Sequence, residues 1–262
     1  MRRRTKSFIA AGLLVPAVVT ALAINNVGTA NAIANGELVP QGKYGFSVKL
    51  TMTGIPTANG GKRNSGCSGA LIAPQWVITA GHCFRDENNV RVERPVADLT
   101  TATVGRADVD DTAHGHVATV VAVRQSPTAD VSLAKLDTPI TDVRPIRLSR
   151  RAPEVGAVVR LTGYGSVTSV NPVPEKHLRT GQLTVVSVGD SVTGMRGYAP
   201  QPDTTPCPYD SGGPFFVEGR RGPALVAVVS NGPSCPHSQT ENAARTDNIT
   251  RWIYESMWST KA

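Results

Sequence analysis

The chain has 262 residues, 40% hydrophobic and 18% charged, which suffices for one large domain or two small ones around a buried core and excludes disorder by composition. Of its 27 basic side chains, four fall in residues 1–32, where none of the 20 acidic ones lies, so a formal charge of +7 shrinks to 23 against 20, or +3, for the remainder. Composition therefore gives little support to a nucleic-acid partner.

The opening segment reads as a secretory signal peptide over residues 1–32. Arg2, Arg3, Arg4 and Lys6 form a basic start, and Phe8 to Ala23 an apolar run. Ala30-Asn31-Ala32 then puts small residues at the two positions a signal peptidase reads. The run is short for a membrane span and contains Pro16, which argues against an anchor. Cleavage after Ala32 would begin the mature chain at Ile33, and Gly28-Thr29-Ala30 offers a rival site two residues earlier.

Beyond residue 32, short runs rich in Val, Leu, Ile and Thr alternate with turn signals. In chain order, strands are expected over Tyr44–Thr53, Ala70–Thr79, Val117–Val123, Val131–Leu136, Ala157–Thr162, Gly181–Val188 and Ala224–Ser230. Gly54–Ser65 and Tyr198–Pro206 read as long loops. Only Asn248–Ser259 carries apolar residues at helical spacing, with Ile249, Trp252, Ile253 and Met257 on one stripe. Many short, evenly spaced strands imply a barrel or sandwich.

Three segments carry chemistry. Thr79-Ala80-Gly81-His82-Cys83 follows the apolar run Leu71–Ile78 and places a histidine at a strand end, suited to a general base. Asp130 opens the apolar segment Val131–Leu136, where a buried carboxylate needs a partner and a histidine would supply one. Asp210-Ser211-Gly212-Gly213-Pro214 presents a serine on a glycine-rich turn, and a serine hydroxyl becomes a useful nucleophile once a base takes its proton. His114, His116, His177 and His237 lack such a setting and read as surface residues. Asp108, Asp110 and Asp111 read as a solvated loop, with calcium binding the alternative. Cys67, Cys83, Cys207 and Cys235 form an even set, which in an exported chain favours disulfides. Four cysteines allow three pairings, and the absence of a C-x-x-C pair argues against zinc.

Together these segments resemble the chymotrypsin/trypsin-like serine peptidases, of a secreted bacterial type. The resemblance rests on Ile33-Ala34-Asn35-Gly36, Cys67–Ile72, Thr79–Cys83, Asp130–Leu133, Gly163-Tyr164-Gly165, Cys207–Pro214, Ser230-Asn231-Gly232 and Trp252-Ile253, and it spans residues 33–262. The order His, Asp, Ser separates the pattern from subtilisins and α/β-hydrolases. It implies an all-β fold of two packed six-stranded antiparallel barrels, about 33–145 and about 146–262, with a C-terminal helix. It further implies a triad of His82, Asp130 and Ser211, an oxyanion hole from the backbone N–H groups of Tyr209 and Ser211, and a substrate pocket at Thr205, Ser230 and Gly232. The implied disulfides are Cys67–Cys83 and Cys207–Cys235, and a new N-terminus at Ile33 would pair with Asp210. The expected protein is a secreted, extracellular, monomeric endopeptidase. Its expected partners are protein or peptide substrates and proteinaceous inhibitors. No cofactor or metal is called for, no nucleic acid, and no membrane once the signal is removed.

Two departures from the family pattern stand out. Tyr209 occupies a position where the family carries glycine, so a side chain would be forced into a glycine conformation. Thr205 stands where trypsins carry aspartate, so an uncharged, apolar side chain is the expected preference at the cleavage site; beside the pocket, Asn231 replaces the family's usual aromatic. An inactive, peptidase-like secreted binding protein and an esterase with the same triad are the competing readings.

Overall fold

The computed structural model describes residues 33–259, and the proposed signal peptide, residues 1–32, lies outside them. Six strands close the first barrel: β2 (Ser47–Pro56), β3 (Lys62–Ala73), β4 (Trp76–Thr79), β5 (Leu99–Val104), β6 (His116–Gln125) and β7 (Ser132–Leu136), preceded in the chain by the short β1 (Glu37–Leu38). Their order around the barrel is β2-β3-β4-β7-β6-β5, all antiparallel. Alternation fills the interior, as in β2, where Val48, Leu50 and Met52 are buried.

After the two-residue β8 (Arg147–Leu148), the second barrel uses β9 (Val158–Gly163), β10 (Arg179–Val188), β11 (Val192–Ala199), β12 (Pro214–Val217), β13 (Ala224–Asn231) and β14 (Glu241–Arg245). They run β10-β11-β14-β13-β12-β9, and pairing of β9 with β10 closes the ring. A 3-10 turn at Asp247–Ile249 leads into helix α1 (Thr250–Trp258), whose Ile253 is fully buried. This is the expected pair of six-stranded barrels with one C-terminal helix.

Local departures have local causes. The expected loop Gly54–Ser65 is a hairpin: β2 and β3 run on into it, and only Thr57–Gly61 turns, with Thr57 N–H donating to Gly61 O at 3.0 Å. The polar residues Lys62, Arg63 and Asn64 face solvent there, which hid a strand from an apolar pattern. The expected single strand Ala70–Thr79 is two, because the chain reverses at Pro74-Gln75 and sets Ala73 opposite Trp76. Strands β5, β11, β12 and β14 were not expected, being short, glycine-bearing or alanine-rich. The start of the described chain packs with the second barrel: β1 pairs with β10, and Ile33 sits in that barrel's apolar cluster with Leu161, Leu183 and Phe215.

The two barrels meet through aromatic rings. Phe216 of β12 packs edge-on against Tyr44 at 5.2 Å and Phe46 at 5.3 Å between centroids. Beside them Ser47 Oγ and Thr162 Oγ1 share a hydrogen bond of 2.8 Å across the junction. Replacing Phe216 by Ala would empty this seam, so Phe216→Ala should cost about 3–5 kcal/mol in urea unfolding. A loss below about 1 kcal/mol would mean the barrels are held together elsewhere.

Candidate active site

Each of the three chemical segments is held by a different device. Fully buried β4 delivers the chain to a 3-10 turn, Gly81–Cys83, that carries His82. The turn is tied down by the Cys67–Cys83 disulfide to β3 and by Ser132 Oγ donating to Ala80 O at 3.0 Å. Asp130 ends the loop before β7, where Ala129 N–H donates to Ser126 Oγ at 3.1 Å and Ser126 N–H to Val131 O at 2.9 Å. Ser211 lies in the loop before β12. Cys207–Cys235 anchors that loop on one side, and Gly212 N–H donates to Val229 O at 2.8 Å on the other. Both disulfides are those implied by the resemblance.

These devices bring the three residues into one line. His82 Nε2 lies 2.8 Å from Ser211 Oγ, and His82 Nδ1 lies 2.7 Å from Asp130 Oδ2. Asp130 also accepts His82 N–H at 2.9 Å through Oδ1 and Ser230 O–H at 2.7 Å through Oδ2. The His82 and Asp130 side chains keep 26% and 27% exposure, so the line is lodged in a cleft yet open to a visitor. Burial pushes the Asp130 carboxyl up, but the His82 imidazole, the Ser230 hydroxyl and the His82 N–H outweigh it and hold it at about 2. Asp130 is therefore an anion at neutral pH, and Nδ1 of His82 carries the proton facing it. That leaves Nε2 free to accept from Ser211 Oγ.

The backbone beside the serine is equally specific. Among the described residues, neither Tyr209 N–H nor Ser211 N–H has a hydrogen-bond acceptor, whereas Asp210 N–H between them donates to Cys207 O at 3.0 Å. Ser68 of β3, a residue the sequence did not single out, reaches across from the first barrel to fix this loop. Its N–H donates to Ser211 O at 2.9 Å and its hydroxyl to Tyr209 O at 3.1 Å. Gly212 has φ +81, and a Cβ there would fall 2.0 Å from Thr79 Oγ1, so only glycine fits. Tyr209 has φ +76, the conformation its glycine-type position implied, and its side chain is partly buried, the hydroxyl donating to Pro172 O at 3.4 Å.

The Asp210 carboxyl is wholly buried. It accepts from Gly165 N–H at 2.8 Å, from Cys207 N–H at 3.0 Å and from the backbone N–H of Ile33. Burial lifts it to about 7, with those N–H groups pulling the other way and nearby Glu241 adding to the rise.

Next to Ser211 opens a cleft of about 260 Å³, with Cys207, Ser230, Gly232 and Glu241 on its walls. Ser230 and Gly232 line this cleft. Thr205 does not line it: the residue is fully buried, forms a bridge with Ala34 and turns its hydroxyl toward Asp203 O at 3.5 Å. His237, expected at the surface, is also corrected, since its side chain is 6% exposed and Nε2 sits 2.5 Å from Glu241 Oε1. Asp108, Asp110 and Asp111 each face a cationic or basic group, His177, Lys176 and His114 respectively. Among the described residues no cluster of His, Cys, Asp and Glu could hold a metal ion, and no helix is long and apolar enough to cross a membrane.

This geometry agrees with the comparison to known proteins. The family model described as trypsin matches residues 33–253, most of the chain and all three chemical segments. The chain belongs to the trypsin family. It is 27% identical over 201 residues to a beta-fibrinogenase-like protein of Daboia siamensis, covering 72% of this chain and 76% of that one. To tonin of Rattus norvegicus it is 25% identical over 220 residues, 73% of this chain and 80% of the relative. To trypsin iota of Drosophila melanogaster it is 28% identical over 193 residues, 64% and 69% of the two chains. These relatives are animal proteins, so the bacterial affinity read from the sequence finds no support among them.

Tyr209 supplies a stability test of this trypsin-family site. A bulky residue at φ +76 stores about 1–3 kcal/mol of backbone strain, against about 0.5–1 kcal/mol of extra chain entropy that glycine would lose on folding. Tyr209→Gly should therefore raise stability by about 1 kcal/mol in denaturant unfolding. A fall of that size would show that the ring's packing, not the strain, dominates.

Proposed function

We propose that this trypsin-family chain is a secreted, extracellular serine endopeptidase that cleaves protein or peptide substrates through Ser211, His82 and Asp130. One observation carries the reading: a 2.8 Å and a 2.7 Å contact link serine, histidine and an ionised aspartate, beside two backbone N–H groups that have no acceptor among the described residues. In this reading Ser211 Oγ bonds to the scissile carbonyl carbon while its proton passes to His82 Nε2. The N–H groups of Tyr209 and Ser211 receive the developing oxyanion, and Asp130 stabilises the imidazolium. His82 then protonates the leaving amine as the C–N bond breaks, leaving an acyl group on Ser211. Water, deprotonated by His82, attacks that ester and returns the proton to Ser211 as the acid departs. Two disulfides support the extracellular setting.

The first test is covalent. A fluorophosphonate should label the wild-type protein at Ser211 and leave Ser211→Ala unlabelled, and that substitution should lower kcat by about 10⁶-fold. Labelling of both proteins, or of neither, would refute the assignment and favour an inactive binding scaffold.

The second part of the proposal concerns Ile33. Its φ of +49 is costly for a β-branched residue, and a cut before Ile33 abolishes that dihedral altogether. The freed ammonium would then meet the buried Asp210 carboxylate, which already accepts the Ile33 N–H. While the chain is continuous, the folded carboxyl keeps its proton up to about 7, whereas the unfolded one loses it near 3.8. Unfolding then releases a proton, so stability should fall between about pH 4 and pH 7 by about 1.4 kcal/mol per unit. A chain beginning at Ile33 keeps Asp210 ionised and paired, so its unfolding free energy should decline less steeply over that window, retaining only the fall that Glu241, also lifted to about 7, contributes to both chains. Coinciding pH profiles of the two chains would sink this pairing.

A further inference from the structure

The cleft beside Ser211 contains a charge that neither the triad nor the N-terminal pairing uses. Glu241 opens β14, opposite Met195 of β11, and its carboxyl comes to lie against Gly232 on the facing wall. A Cβ on residue 232 would fall 1.9 Å from Glu241 Oε2, so the carboxyl occupies space that only a glycine there leaves open. The side chain is 3% exposed and borders the same cavity as the nucleophile.

Its hydrogen bonds define its charge. Gln239 N–H donates to His237 Nδ1 at 3.0 Å, which places the imidazole proton on Nε2. Nε2–H then donates to Glu241 Oε1 at 2.5 Å. Burial lowers the His237 pKa, so the ring is neutral and brings no positive charge. Oε2 has no hydrogen-bond partner among the described residues, and no lysine or arginine lines the cavity. Burial alone lifts the Glu241 carboxyl to about 7, as expected of a carboxylate with one neutral donor and no cation. A buried anion of this kind favours whatever cation reaches it.

We propose that Glu241, oriented by His237, is the specificity-determining residue of the cleft and selects a lysine or arginine side chain on the amino side of the scissile bond. The proposal rests on the peptidase reading of Ser211 and replaces the apolar preference expected from Thr205. The acid comes from β14 rather than from the segment preceding the nucleophile, and it approaches the cavity from the Gly232 side. His237 is a positioning residue: it fixes one carboxylate oxygen and leaves the other to the incoming cation.

The test uses enzyme secreted from the full chain and peptides that differ only at the residue before the cleaved bond. Lysine and arginine peptides should exceed the leucine peptide in kcat/KM by at least about 10-fold. Glu241→Gln keeps size and the His237 hydrogen bond but removes the charge. It should lower the lysine and arginine values about 10–100-fold while leaving the leucine value and fluorophosphonate labelling within about 3-fold. Equal cleavage after leucine in the wild type, or unchanged lysine and arginine values in Glu241→Gln, would overturn the proposal. Benzamidine binding to Ser211→Ala, measured by calorimetry, separates the two readings. Binding that Glu241→Gln abolishes supports the cation site even if the wild type fails to label, a result that would count against the peptidase reading alone. Absence of benzamidine binding in a protein that labels would overturn the cation site and leave the peptidase reading standing.

Discussion

A carboxylate with no access to water organises the candidate active site. Asp210 is wholly buried, and its oxygens accept N–H groups from Gly165, Cys207 and Ile33, three separate stretches of chain. Losing any of these donors would leave a buried acceptor short of a partner, at a cost of about 1–3 kcal/mol. The loop from Cys207 to Gly213 is thereby held in one shape, with Asp210 N–H turned back to Cys207 O and the flanking N–H groups of Tyr209 and Ser211 without an acceptor among the described residues. The adjacent serine inherits its position from this constraint. So does the strained φ of Tyr209, which the loop imposes regardless of the side chain.

The second barrel shapes the Ser211 loop, but the first barrel aims it. Ser68 of β3 donates twice into the loop, to Tyr209 O and Ser211 O, and its own carbonyl accepts from Thr79 at the end of the strand leading to His82. Its hydroxyl also accepts Tyr164 N–H at 3.0 Å. One small residue thus couples the His82 and Ser211 segments across the junction, where a larger side chain would hold them apart. The aromatic seam of Tyr44, Phe46 and Phe216 keeps that junction closed, so packing far from the reacting atoms sets the 2.8 Å contact between His82 and Ser211.

What could be read from the sequence follows from this division. His82, Asp130 and Ser211 were legible because each sits in a short segment whose residue types are fixed by chemistry: a cysteine beside the histidine, an apolar run after the aspartate, glycines after the serine. The recurrent apolar strands left a barrel or a sandwich open, and the pair of barrels followed only from the resemblance to the peptidase family. Strand β14 was not, because Glu-Asn-Ala-Ala-Arg carries no apolar alternation, and with it was lost the register that brings Glu241 into the cleft. His237 looked like a surface residue because its partner lies four positions on, in that unrecognised strand. Thr205 was placed in the pocket by counting back from Ser211, but its bridge to Ala34 holds it away from the cavity wall. Ser68 carried no signal beyond its place after Cys67.

The two buried acids near Ser211 show how burial and compensation divide structural from recognition roles. Asp210 has three backbone donors and a further partner available in a freed Ile33 amine, so its charge can be satisfied internally. Glu241 has one donor, a neutral imidazole, and an oxygen with no other partner among the described residues. Burial pushes both to about 7, but their unmet needs differ: Asp210 lacks an ion pair that the chain itself can supply, Glu241 a donor missing from the described chain altogether. A fold can afford the first by completing itself. It can keep the second only where the missing partner arrives from outside, which is why the under-satisfied acid is the one that borders the cleft.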